Sequence, residues 1–264
     1  MLESTVLLRN RQLEFNGLCA LMFVGSAAAT IYFCRSMGGD MEMPGGWTMS
    51  MAWMRMPGQT WLGAAASFLA MWIVMMVAMM LPSLVPLLWR YRQSVATTRA
   101  TRLDRLTLLF GAGYFFVWTV FGLAAFPLGV VLATLEMREP ELARAVPSAV
   151  GAVVLIAGAL QFTAWKLHHL ACCRELPARC RTFGADAGAA WRDGLRLGLH
   201  CLYCCAGLMT ILLVIGVMDL RAMAIVTAAI TIERLTPGER AARAIGVVTI
   251  GAGLLLIERA VGLG

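Results

Sequence analysis

The run His200-Cys201-Leu202-Tyr203-Cys204-Cys205 places three thiols and an imidazole within six residues. On a helix Cys201 shares a face with Cys204 and Cys205, at i+3 and i+4, and His200 lies one turn from Cys204. Two thiolates and an imidazole can therefore converge on one ion. A second string, His168, His169, Cys172, Cys173 and Cys180, precedes it by about thirty residues. Methionine supplies a third set: Met37, Met41, Met43, Met49, Met51, Met54 and Met56 crowd one segment, and Met71, Met75, Met76, Met79 and Met80 follow at i, i+4 spacing in an apolar run. Thiolate and thioether ligands favour Cu(I), which accepts low-coordinate sulfur sites, whereas Zn(II) needs a fourth ligand, which the neighbouring string can supply. Copper is the expected ion and zinc the alternative. Each set also has a plainer reading: buried inert thiols, an interfacial belt of His and Trp, and pliable methionine packing.

The elements that must position these residues are membrane helices. With 264 residues, 60% hydrophobic and 14% charged, and a mean hydropathy of +0.76, the chain has too much apolar surface for a soluble fold of its size. Apolar runs long enough to cross about 30 Å of hydrocarbon occur near 15–33, 61–89, 107–132, 147–165, 198–217 and 244–261. The stretch 198–234 is too long for one span and carries Asp219 and Arg221, so a tight turn at Met218-Asp219-Leu220-Arg221 is expected, with a short helix over 220–233. The expected fold is all-α: a polytopic bundle of seven spans, or six if 220–233 does not cross.

Charge sets the orientation. Of 22 Lys and Arg, the N-terminus holds two, the 89–106 loop five, the 166–196 loop six and the 234–243 loop three. The positive-inside rule then puts the N-terminus in the cytoplasm, the Met-rich 34–60 loop outside, and the 89–106 and 166–197 loops inside, all in one membrane domain over 1–264. Arg9 and Arg11 before an apolar stretch ending at Ala27-Ala28-Ala29 are compatible with a signal peptide, but the run continues through Phe33, which suits an uncleaved first helix. The formal charge of +7 lies in loops, without a basic domain interleaved with aromatics, which excludes nucleic acid as a partner. Both Cys/His strings fall on one side, the reducing one, where free thiols or metal ligands are expected rather than disulfides. Met and Trp in the outer loop suit copper capture where thiols would oxidise. Pro82 and Pro86 are expected to end or kink the second helix. Gln161, Trp165, His168 and Cys172 are expected to share a face of the fourth. Lys166, the only lysine, is expected to snorkel to the interface, and Glu233-Arg234 to form an interfacial pair. No Walker A pattern and no Asp-Lys-Thr-Gly phosphorylation sequence is present, so transport would be passive, subtly coupled or partner-driven.

Several of these residues together resemble a bacterial family of predicted metal-binding integral membrane proteins, a domain of unknown function. The similarity lies in Met71-Trp72-x-x-Met75-Met76-x-x-Met79-Met80-Leu81-Pro82, Gln161-x-x-x-Trp165-Lys166, the Cys-rich start of the fifth helix, and Gly216-x-Met218-Asp219-Leu220 followed by Glu233 and Pro237. It covers about residues 45–260. The family pattern Cys-x-Gly-Cys-Cys, followed by an aromatic, reads here with Tyr203 for the glycine and Ala206 for the aromatic. The resemblance implies metal binding in a bacterial inner (plasma) membrane and supplies no reaction.

The function expected is soft-metal transport, delivery or homeostasis, with membrane lipid and a metallochaperone or membrane-complex partner. Two alternatives stand: a thiol-disulfide oxidoreductase using Cys201 and Cys204 with Cys172 or Cys173 as exchange partner, and a scaffold subunit whose Gly151, Gly158, Gly246, Gly251 and Gly253 pack helices.

Overall fold

The computed structural model describes residues 2–36, 40–43, 47–95, 100–179 and 186–262, which include the thiol, imidazole and ladder residues named above except Cys180 and Met37. Eight α-helices account for nearly all of them: α1 (Leu2–Ser36), α2 (Trp61–Ser94), α3 (Ala100–Arg138), α4 (Pro140–Leu160), α5 (Ala164–Arg179), α6 (Ala187–Ile215), α7 (Leu220–Leu235) and α8 (Arg240–Gly262). Six of them, all but α5 and α7, are long and apolar enough to cross a membrane. The all-α expectation holds with one local exception.

That exception is the Met-rich segment. It forms an antiparallel hairpin, β1 (Asp40–Met43) with β2 (Trp47–Ser50), Met41 opposite Met49, followed by a 3-10 turn over Met51–Trp53. Alternation of Met with polar residues on both sides of Pro44-Gly45-Gly46 has the strand period of two. Met43 and Met49 turn inward, and Trp47 donates its indole N–H to the Ala143 carbonyl at 2.8 Å, which fixes the hairpin to the start of α4. The Arg-rich 89–106 and 166–197 segments are largely helical too, as the ends of α2 and α3 and as α5 with the start of α6. Nor do Pro82 and Pro86 end α2, which runs through both to Ser94.

The turn expected near Met218 is present. Gly216 takes φ +142°, a region that side chains with a Cβ rarely enter, and Asp219 caps α7 by accepting from the Arg221 and Ala222 amides at 2.7 and 3.0 Å. At its other end α7 stops beside α5, where Arg174 donates to the carbonyls of Glu233 and Gly238. Its 16 residues rise about 24 Å.

Small residues set the two closest helix pairs. Gly151 and Gly158 of α4 lie so close to α8, and Gly253 of α8 so close to α4, that a Cβ on any of the three would press on the opposite helix, and one on Gly246 of α8 would press on Gln161 and Phe162 just after α4. Gly251 touches nothing and takes no part. Gly194 and Gly198 of α6 lie against the Phe110 and Tyr114 carbonyls of α3, and Gly113 of α3 lies against the Trp191 carbonyl of α6. This is the small-xxx-small mode of apolar helix association, in which close backbones maximise van der Waals contact.

Candidate metal centre

The glycine stripe of α6 continues into the thiols. Gly194, Gly198, Cys201 and Cys205 follow at i, i+4, i+7 and i+11, so the face that presses on α3 also carries two of the cysteines. The contact at Gly198 delivers Tyr114 to the site, and its hydroxyl lies 3.0 Å from Cys201 Sγ. Cys204, at i+3 from Cys201, joins them on the same side, with Cys204–Cys205 sulfurs at 3.5 Å and Cys201–Cys205 at 3.8 Å. The three sulfurs lie within 4.8 Å of one another. The shared face inferred from the sequence is therefore present.

A fourth thiol comes from α5. Cys173 Sγ stands 3.7 Å from Cys204 Sγ, and all four side chains are buried. Cys172, its neighbour, points away, half-buried, with its sulfur 3.7 Å from His168 Nε2. The reason is the break between α4 and α5. Amides of Gln161, Phe162 and Thr163 donate to carbonyls three residues back, a tight 3-10 turn, before Thr163 restarts the helix by accepting from the Lys166 amide. That turn shifts the helical phase. The buried face of α5 is Lys166, Leu170 and Cys173, while Trp165 and His168 are exposed, so Gln161, Trp165, His168 and Cys172 do not share one face.

The imidazoles form a separate group. His169 Nδ1 lies 3.1 Å from His200 Nδ1, and the rings of Trp165 and Tyr203 pack on His169 with centroids 5.0 Å away. His200 thus turns to its partner on α5 rather than into the thiol pocket, which the one-turn spacing from Cys204 did not reveal.

Charged residues expected at the interface close the pocket instead. Lys166 and Glu233 form a buried ion pair at 2.7 Å, and Lys166 also donates to the Cys204 carbonyl. Arg234, only 6% exposed, donates from Nη1 to Ser83 Oγ at 2.9 Å, Tyr114 Oη at 3.1 Å and Cys201 Sγ at 3.4 Å. Among the described residues no carboxylate pairs with this guanidinium, and its Nε and Nη2 have no hydrogen-bond partner. A guanidinium keeps its charge in proteins, and burying it unbalanced costs several kcal/mol. Of the two ionisable groups bonded to it, Tyr114 and Cys201, the thiol is intrinsically the more acidic and the better source of a balancing anion. The donor set is thus four soft sulfurs with a fixed cation, which suits a thiophilic ion bound as an anionic thiolate complex. The signal for these partners was present in the sequence, as a lone lysine and a Glu-Arg pair closing an apolar run, but their meeting across 67 positions was not.

Ser83 ties this pocket to the methionine ladder. Its hydroxyl donates to the Met80 carbonyl at 3.0 Å while accepting from Arg234. Met71, Met75, Met76, Met79 and Met80 are all buried, in the same core cluster as the four thiols.

Neither the curated proteins nor the solved structures contain a match to this chain. Residues 69–256, well over half of the 264, match the family model PpoB2, described as a copper chaperone. That segment contains the methionine ladder, both Cys/His strings, Lys166, Glu233 and Arg234. The chain belongs to the PpoB2 copper chaperone family.

Proposed function

We propose that this chain is an integral membrane protein that binds Cu(I) through Cys173, Cys201, Cys204 and Cys205 and passes it to or from a partner. The observation that carries the reading is the convergence of four buried sulfurs beside an arginine that no carboxylate among the described residues pairs with. Copper held by two thiolates has one net negative charge, which Arg234 would balance. Zn(II) with four thiolates would carry two, leaving one unmatched, so copper is preferred to zinc. The surface pair His169 and His200, with His168 and Cys172 beside it, offers borderline ligands nearer the exterior, suited to exchange with a metallochaperone or membrane-complex partner. The ladder Met71, Met75, Met76, Met79 and Met80 supplies weak thioether ligands along α2, of the kind that releases as readily as it binds.

The membrane reading rests on the six long apolar helices and on what they turn outward: α3 exposes Leu108, Leu128 and Val131, and α8 exposes Val247, Val248, Leu254 and Leu255. We read one domain with seven crossings. The short α7 starts near the hairpin end and returns to the arginine-rich end, which the positive-inside rule assigns to the cytoplasm together with the N-terminus. We place it in a bacterial inner membrane, in contact with lipid, as the family resemblance implies.

Thiol exchange is the weaker reading, because Cys173, Cys201, Cys204 and Cys205 are buried and exchange needs an attacking thiol to reach the disulfide. A scaffold role draws less support as well, since Gly151, Gly158, Gly246 and Gly253 pack helices within the chain.

The test is anaerobic elemental analysis of detergent-purified protein beside a Cys201, Cys204, Cys205→Ser triple variant after loading with copper or zinc. Stoichiometric copper lost in the variant is the expected result. Equal copper in both proteins, or none in either, sinks the proposal.

A further inference from the structure

At the opposite end of α2 from the thiols lies a cavity of about 470 Å³, lined by Met51, Met54 and Met56 of the hairpin segment, Met71 at the head of the ladder, and Met218 of the α6–α7 turn. Five thioethers from three separate stretches of chain thus face one space. Its remaining lining is aromatic, small or hydroxyl- and amide-bearing, and includes no imidazole, thiol or carboxylate among the described residues. Met71 belongs to both groups and is buried like the rest of the ladder, but the methionines of the hairpin segment differ from it. Ladder side chains are enclosed by neighbours, as packing methionines are, whereas Met56 is 46% exposed and Met51 and Met54 are partly so.

The segment that carries them is held rather than loose. Trp53 packs on Phe68 with ring centroids 5.2 Å apart and fills the space left by Gly129 of α3. Ser50 Oγ accepts from the Ala52 amide, and Gln59 accepts from the Met56 amide while donating to Ser67 on α2. These contacts hold the stretch of chain that carries Met51, Met54 and Met56 along the cavity in a fixed frame. Neutral thioethers select a soft monovalent ion, give hard cations almost nothing, and survive oxidising conditions in which thiols would not.

We propose that Met51, Met54, Met56, Met71 and Met218 form a second, thioether-only site for Cu(I), a vestibule from which the ion passes to or from the ladder. The proposal rests on the copper-handling reading above but concerns other residues. From Met71 to Ser83, whose hydroxyl meets Arg234 at the thiols, twelve residues of helix rise about 18 Å. The vestibule and the thiol pocket are therefore distinct sites at the two ends of one helix segment.

The test removes the thiols first. A Cys173, Cys201, Cys204, Cys205→Ser variant is titrated anaerobically with Cu(I), competed by bicinchoninate, and separately with Ag(I). One weakly held equivalent is expected to remain, and Met54→Leu, Met56→Leu and Met218→Leu together are expected to weaken it at least tenfold. No residual binding, or binding unchanged by the three leucines, overturns the vestibule. Should the serine variant not fold, wild-type protein is treated with hydrogen peroxide with and without Ag(I), and oxidation is mapped by mass spectrometry. Ag(I) is expected to protect Met54 and Met56; equal oxidation in both samples overturns the proposal. Failure of the thiol reading gives a different pattern, in which wild-type protein has no thiol-dependent copper while the methionine-dependent equivalent persists.

Discussion

The two sulfur-rich ends of this molecule are built on opposite plans. At one end four thiols sit in a closed pocket, with backbones pressed together at Gly194 and Gly198 and with an arginine and a lysine-glutamate pair against them. At the other, five neutral thioethers line an open cavity, with no acidic or basic group in the lining among the described residues. Ionised sulfur with a matched cation in a dry site binds strongly, and neutral sulfur in a wet one binds weakly and lets go. The contrast teaches that sulfur content alone does not distinguish a store from a passage; burial and nearby charge do.

Substitutions at each end sharpen the contrast. The largest effect is expected from the Cys201, Cys204, Cys205→Ser variant, which should lose its tightly held, thiol-bound copper in elemental analysis while Met54→Leu with Met56→Leu keeps that thiol-bound copper. Next comes the buried ion pair. Glu233→Gln leaves Lys166 charged and unpaired and should lower stability by about 3–5 kcal/mol, read as thermal unfolding in detergent. Lys166→Met with Glu233→Leu together should be milder than Glu233→Gln alone, and a double variant that is worse would show the pair to be more than structural. Arg234→Gln is expected to weaken copper about 10–100-fold, as loss of a supporting group beside metal ligands does, with Arg234→Lys intermediate in a chelator competition. Gly194→Ala pushes a methyl group into the Phe110 carbonyl and should destabilise the α3–α6 contact by about 1–3 kcal/mol. The smallest effect belongs to the vestibule: Met54→Leu with Met56→Leu nearly conserves volume and should change stability by less than about 1.5 kcal/mol.

Much of this architecture was legible in the sequence because it follows local periodicity. The six long helices, the turn at Gly216 and Asp219, and the shared face of Cys201, Cys204 and Cys205 all depend on residues within a few positions of one another. What escaped depends on phase and on distance along the chain. A three-residue 3-10 turn at Gln161–Thr163 exchanges Cys172 for Cys173 and carries Lys166 inward, and nothing in the local pattern marks it except the weak helix former Thr163. Glu233 and Arg234 read as interfacial because they close an apolar run. They are buried because α7 ends against α5 and α2, whose Lys166 and Ser83 lie far away in sequence.

The most direct measurement is copper K-edge X-ray absorption on anaerobically loaded protein, with the triple serine variant as control. A sulfur-only first shell, with no imidazole scattering and with its thiolate scattering lost in the variant, is the predicted result. Imidazole in the first shell, or an unchanged spectrum without the three cysteines, would contradict a copper site built from the buried thiols.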